Sequence, residues 1–162
     1  MKKISYLLIS FILLIKISSC AGYQPIFGST NFEFKISDYS ISGNKEIGNQ
    51  IYSRLNNLSK SSKNSSETKN VYLFINASKN KSPTAKDSAG KVLSYRTSLS
   101  TTIIVKNIIT GNEIINENFY YSSVYKAQDQ FSETVKLENK NIKNFIDKTY
   151  QDFLLKLTEN LL

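Results

Sequence analysis

Histidine is absent from this 162-residue chain, and there is one cysteine, Cys20. Those absences remove the serine–histidine and cysteine–histidine nucleophile pairs, most metal sites and any intrachain disulfide. An oxidising compartment stays open to the chain, but cross-linking is not used there. Arginine is scarce as well, since Arg54 and Arg96 are the only two. Bidentate phosphate recognition favours arginine, and the remaining basic residues are lysines dispersed along the chain. A nucleic-acid partner is therefore not expected. Prolines number two, against ten tyrosines and nine phenylalanines, the composition of a folded chain rather than a disordered tail. No glycine-rich phosphate loop, paired histidines or internal repeat is present. The length suits one domain with a sizeable core.

The formal net charge is +8. Part of it belongs to the start of the chain, where Lys2, Lys3 and Lys16 precede Cys20 without an acidic residue. From Cys20 onward, 18 basic residues face 13 acidic ones, a balance of about +5. The excess is either compositional, in a chain rich in Lys, Asn, Ile and Ser, or a mild attraction to anionic lipid or lipopolysaccharide.

After Lys2 and Lys3, residues 4–15 are almost uninterruptedly apolar. This is the length and polarity of a secretory signal, shorter than the roughly 20 apolar residues of a membrane span. Lys16 closes the run. Ile17-Ser18-Ser19-Cys20 then resembles the bacterial lipobox, an aliphatic residue and two small ones before an obligatory cysteine. That resemblance implies cleavage before Cys20, a diacylglycerol on its thiol and an N-acyl chain on the new amino terminus. Such a multi-chain anchor exceeds the marginal hold of a single acyl chain. The alternative is an ordinary signal peptide with a chance cysteine. By resemblance to enterobacterial sorting, Ala21 in place of an acidic residue favours the outer membrane, on its periplasmic face. Residues 1–19 are thus expected to be a signal peptide and 20–30 a lipidated tether, with Gly22, Pro25 and Gly28 spacing Tyr23, Ile26 and Phe27.

Residues 31–162 are expected to form a single domain. Phe32, Phe34 and Ile36 alternate with polar residues as a strand does. Ser42-Gly43-Asn44 breaks that pattern and offers a helix N-cap, with Glu46 in the first turn. Ile47, Ile51, Leu55 and Leu58 form an apolar stripe on the helix that follows. Residues 59–69 look like a solvated linker. Val71, Leu73, Ile75 and Ala77 share one face of the most β-prone stretch, and residues 78–90 look like a polar loop around Pro83 and Gly90. Tyr95, Thr97, Leu99, Thr101, Ile103 and Val105 share one face of a long strand, with Arg96, Ser98, Ser100 and Thr102 on the other. A turn at 108–112 then returns the chain as a tyrosine-rich strand, 113–125.

From Phe131 a long helix follows, with an expected stripe of Phe131, Val135, Ile142, Phe145, Ile146, Tyr150, Phe153, Leu154, Leu157 and Leu161. Asp152 and Lys156 have the favourable i,i+4 spacing for a surface pair. The order β-α-β-β-β-α predicts a two-layer α+β domain: a four-stranded, mostly antiparallel or mixed sheet with two helices on one face. Carboxylates are scattered. Glu113 and Glu117 on one strand stand about 13 Å apart, too far to share a proton. Tyr120, Tyr121 and Tyr125 have no base beside them in sequence and are taken as packing and edge surface. Catalysis, a resident metal and a free cofactor are not expected; the only attached groups would be the acyl chains on Cys20.

Cys20-Ala21-Gly22-Tyr23-Gln24-Pro25-Ile26-Phe27-Gly28 resembles the start of mature lipopolysaccharide-assembly lipoproteins, the LptE family, in its alphaproteobacterial form. Ala21 is one residue more than that family places between cysteine and glycine. Arg54-Leu55-Asn56-Asn57-Leu58, Tyr95-Arg96, Thr110-Gly111 and the tyrosine-rich strand before a long C-terminal helix are similar in order. The resemblance implies two helices on a four-stranded sheet and a place inside the large outer-membrane β-barrel LptD. The pair would form a plug-and-barrel translocon that inserts lipopolysaccharide into the outer leaflet, the lipoprotein also assisting barrel assembly. By rough alignment it makes Lys86, Lys91, Arg96 and Lys136 the candidates for lipid A phosphates, through charge-assisted hydrogen bonds. An auxiliary lipoprotein of an ABC-type lipid transport system is the alternative reading.

Overall fold

The computed structural model describes residues 34–61 and 69–161. The signal segment, Cys20, the tether and the middle of the polar linker lie outside the described residues. The elements are β1 (Phe34–Gly43), α1 (Lys45–Ser61), β2 (Lys69–Lys86), β3 (Val92–Asn107), β4 (Glu113–Lys126) and α2 (Phe131–Leu161). The strands lie in the order β1-β2-β3-β4. β1 and β2 are parallel, joined through α1, and β2, β3 and β4 form antiparallel hairpins. α1 packs over β1 and β2, α2 over β3 and β4, and the two helices touch each other. This is the expected α+β architecture.

Period-two alternation puts one apolar row of each strand under the helices. Val71, Leu73, Ile75, Ala77, Leu99 and Ile103 are buried there against Ile51, Leu55, Phe145, Ile146, Phe153 and Leu157. Each large side chain so buried contributes about 1.5–3 kcal/mol relative to exposure. Thr97 and Thr101 interrupt the row. Thr97 spends its hydroxyl on the Asn80 carbonyl at 3.3 Å, whereas Thr101 Oγ1 has no partner among the described residues. Thr101→Val keeps the shape and removes the stranded hydroxyl, so it should raise stability by about 1 kcal/mol, read as an upward shift in urea midpoint at constant slope.

The loop expected at 78–90 is a correction. β2 runs on to Lys86 and pairs with β3 as far as Val92. Only Asp87–Lys91 turn, held by Asp87 Oδ1, which accepts the N–H groups of Ala89 and Lys91 at 2.9 and 2.8 Å. Pro83 does not stop the strand because β1 ends opposite Ala77. Beyond that point one edge of β2 has no strand partner among the described residues, and a strand edge tolerates a missing N–H. The linker also starts later than expected. Ser59 is a buried helical residue whose Oγ accepts the Ile36 N–H at 3.1 Å, beside the register shift in β1.

α1 starts as the sequence indicates. Asn44 Oδ1 accepts the Ile47 N–H at 3.1 Å, an N-cap. Gly48 lets this first turn sit against β1, since a Cβ there would lie 2.4 Å from Ile41 Cγ2. At α2 the stripe differs from expectation at its start. Phe131 is 76% exposed, and the buried face runs through Thr134 and Glu138 instead. Asp152 and Lys156 do not pair. Tyr121 Oη donates to Asp152 at 2.6 Å, while Lys156 bonds Glu159 at 2.8 Å. Burial and the Asp152 charge push the Tyr121 phenol well up.

Candidate functional site

The continuation of β2 creates the most elaborated polar site. Lys79 and Lys81 are two and four residues beyond Ala77, so alternation places both on the inner face, under the first half of α2. Both meet Glu138. Lys79 Nζ lies 2.8 Å from Oε1 and Lys81 Nζ 2.7 Å from Oε2, and the carboxylate side chain is 10% exposed. Tyr125 Oη stands 3.5 Å from the same carboxylate, and Lys81 Nζ sits 4.5 Å from the centre of the Tyr95 ring. Burial raises the Glu138 carboxyl, but hydrogen bonds and charge from the two lysines outweigh it and hold the group below its ordinary range. Lys81 is pushed up, chiefly by its bond to Glu138. Tyr125 is pushed up by burial and by the Glu138 charge. Two ammonium groups against one carboxylate leave local positive charge where sheet and helix meet.

Beside this cluster a groove of about 360 Å³ runs between the helices. Ile47, Ile142 and Ile146 contribute apolar surface, while Asn44, Glu46, Gln50, Arg54, Lys79, Asn139 and Lys143 line the rest. Arg54 ties the helices together through Asp147 and lies 5.9 Å from the centre of the Tyr150 ring. The groove offers hydrogen-bond donors and positive charge, the chemistry that holds an anion or a hydroxyl-rich group.

The four lysine and arginine candidates do not line this groove. Lys86 closes β2, and Lys91 stands at the foot of the turn to β3, so these two share one hairpin tip. Arg96 is exposed on β3, by alternation on the outer face opposite Ser82 and Val124. Lys136 is 72% exposed on the helix side and bonds Glu133 at 2.7 Å. The sheet therefore separates Arg96 from Lys136.

Glu138, Lys79 and Lys81 were not singled out from sequence, although signals were there. Glu138 is a charge four residues before Ile142, on the buried face of α2. Lys79 and Lys81 continue the parity of Val71 to Ala77. Treating 78–90 as a loop discarded that parity.

No protein-family model matches the chain, and no curated protein sequence matches it. Solved structures do share its fold. Rare lipoprotein B from Shewanella oneidensis superposes with a TM-score of 0.52 at 16% identity, over 75% of this chain and 94% of that one. A minor lipoprotein from Acinetobacter baumannii gives 0.53 at 13% identity, over 80% and 92%. Lipoprotein B from Nitrosomonas europaea gives 0.51 at 12%, over 77% and 84%. At such identities the likeness is one of fold.

Proposed function

We propose that this chain is an outer-membrane lipoprotein of the LptE type, anchored through Cys20, that plugs the LptD β-barrel and assists lipopolysaccharide insertion. The observation that carries the reading is the concurrence of a lipobox at Cys20 with a following domain whose fold is that of solved lipoproteins.

The outer face of the sheet supports a plug. By alternation it presents Asn76, Ser78, Asn80 and Ser82 on β2, Ser98, Ser100 and Thr102 on β3, and Asn118 and Ser122 on β4. Arg96, Tyr120 and Val124 share that face, so the short neutral side chains that would meet a water-lined wall without burying unpaired charge make up its larger part. The role is one of binding and positioning, with the basic tip at Lys86 and Lys91 nearest to lipid A phosphate chemistry.

Affinity purification of the full chain from native membranes in mild detergent tests the partnership. A large outer-membrane barrel should co-purify. Recovery of monomer alone would overturn the reading, and an inner-membrane ATPase–permease in its place would select the ABC-type alternative. Cys20→Ser should move the protein from the membrane to the soluble fraction on cell fractionation; a variant that stays with the membrane refutes the anchor.

A further inference from the structure

The hairpin between β3 and β4 has a composition that turns do not normally carry. Turn tips favour Gly, Asn, Asp, Pro and Ser, yet this one presents Ile108 and Ile109, 44% and 83% exposed. Its backbone N–H groups are already satisfied from within the chain. The N–H groups of Ile109 and Thr110 donate to Asn107 Oδ1 at 2.8 and 3.0 Å, and that of Asn112 to Thr110 Oγ1 at 3.3 Å. Those of Asn107, Ile108 and Gly111 donate to the carbonyls of Asn112, Asn70 and Asn107 at 2.8, 3.2 and 2.9 Å. Every N–H from 107 to 112 therefore has a protein partner. Those donors need no water, which lowers the cost of bringing the tip to an interface.

The tip also stands at the end where the chain enters the domain. Phe34 begins β1 opposite Lys69, and Val71 lies opposite Asn107. Cys20 precedes Phe34 by fourteen residues, a leash of at most about 50 Å. The opposite hairpin lies a full sixteen-residue strand away, about 53 Å. Lys35, Lys69 and Lys106 flank the tip on β1, β2 and β3, with Glu113 weakly opposing Lys106 at 3.9 Å. Net positive charge around exposed aliphatic side chains fits an anionic lipid surface.

We propose that Ile108 and Ile109 form a second membrane contact, a foot that rests in the interface of the leaflet holding the Cys20 acyl chains. This rests on the reading that Cys20 is lipidated. The foot fixes which end of the domain faces the bilayer, which an anchor at Cys20 alone does not.

The chain contains no tryptophan, so Ile109→Trp places a single indole at the tip. Leu93→Trp places one near the opposite hairpin, at a residue 47% exposed, and controls for the affinity of indole for interfaces. Each mature lipidated variant is reconstituted into phosphatidylethanolamine–phosphatidylglycerol vesicles whose acyl chains are brominated, after circular dichroism confirms the parent fold. The indole at 109 should shift to shorter wavelength and lose emission to the bromines, while that at 93 keeps its emission. A protein that floats with the vesicles but is unquenched at 109 overturns the foot and leaves the anchor standing. Equal quenching at 93 and 109 overturns it too, as adsorption without orientation. A blue shift at 109 without quenching overturns the lipid contact in favour of a protein neighbour. A chain that does not float at all overturns the anchor and the foot together.

Discussion

Glu138→Ala is expected to lower the unfolding free energy by about 2–3 kcal/mol, measured by urea unfolding at neutral pH. The substitution leaves Lys79 and Lys81 facing each other under α2 with their shared counterion gone. Breaking a fully buried pair costs about 3–5 kcal/mol. Lys79 and Lys81 keep 33% and 27% of their side-chain surface, and water screening accounts for the discount. Replacing all three, with Lys79→Met, Lys81→Met and Glu138→Leu, should recover most of the loss because no charge is then left unpaired.

The same cluster predicts a pH profile. The folded Glu138 carboxyl titrates below its ordinary 4.5, so its stabilisation is complete above that value and drains as the pH falls through the folded value. Lys81 is raised above 10.5, so its share is complete below 10.5 and fades above it. The difference between parent and Glu138→Gln should be flat between about 4.5 and 10.5 and shrink on both sides. A difference that grows in acid would contradict the ion-pair origin of the stability.

Gly43→Ala should cost about 3 kcal/mol, a larger effect than a single added methyl usually has. Gly43 has φ +71°, and a Cβ there would lie 2.2 Å from the Ala77 carbonyl oxygen. Left-handed backbone costs an L-residue about 1–2 kcal/mol. The clash falls on backbone, so it cannot be relieved by turning a side chain. That same oxygen accepts the Asn44 N–H at 2.7 Å, and displacing it forfeits about 1 kcal/mol of hydrogen bonding. Gly90→Ala and Gly111→Ala share the positive φ, but nothing lies within 4 Å of the added Cβ. They should cost only the conformational term. A Gly43 variant no worse than those two would mean that the β1–α1 junction is not held by this contact.

Local pattern made the architecture legible. Val71 to Ala77 and Thr97 to Val105 each carry an apolar residue or Thr at every second position, and every inward residue of those runs is buried. Ile47, Ile51 and Leu55 recur at four-residue spacing, and all three are buried on α1. Asn44 is a cap because its own side chain reaches the third residue onward. Each of these depends on neighbours a few positions away, which is the range over which sequence and geometry are directly linked.

Long-range partners set the remainder. Pro83 argues for a loop when taken alone; only the end of β1 at Gly43, opposite Ala77, shows that β2 has no further strand partner on that edge among the described residues. Phe131 looks like the first residue of the α2 stripe, yet the helix turns Thr134 and Glu138 inward and leaves Phe131 exposed. Asp152 takes the Tyr121 hydroxyl from another element, leaving Lys156 to Glu159. Lys79 and Lys81 lie nearly sixty residues from Glu138 in sequence, with β3 and β4 between. Periodicity and composition were sufficient for the elements, their order and the lipobox resemblance at Cys20. Which charges meet, which aromatic faces water and which hairpin stands at the end where the chain enters were decided only by packing. Those outcomes depend on groups that no local spacing brings together.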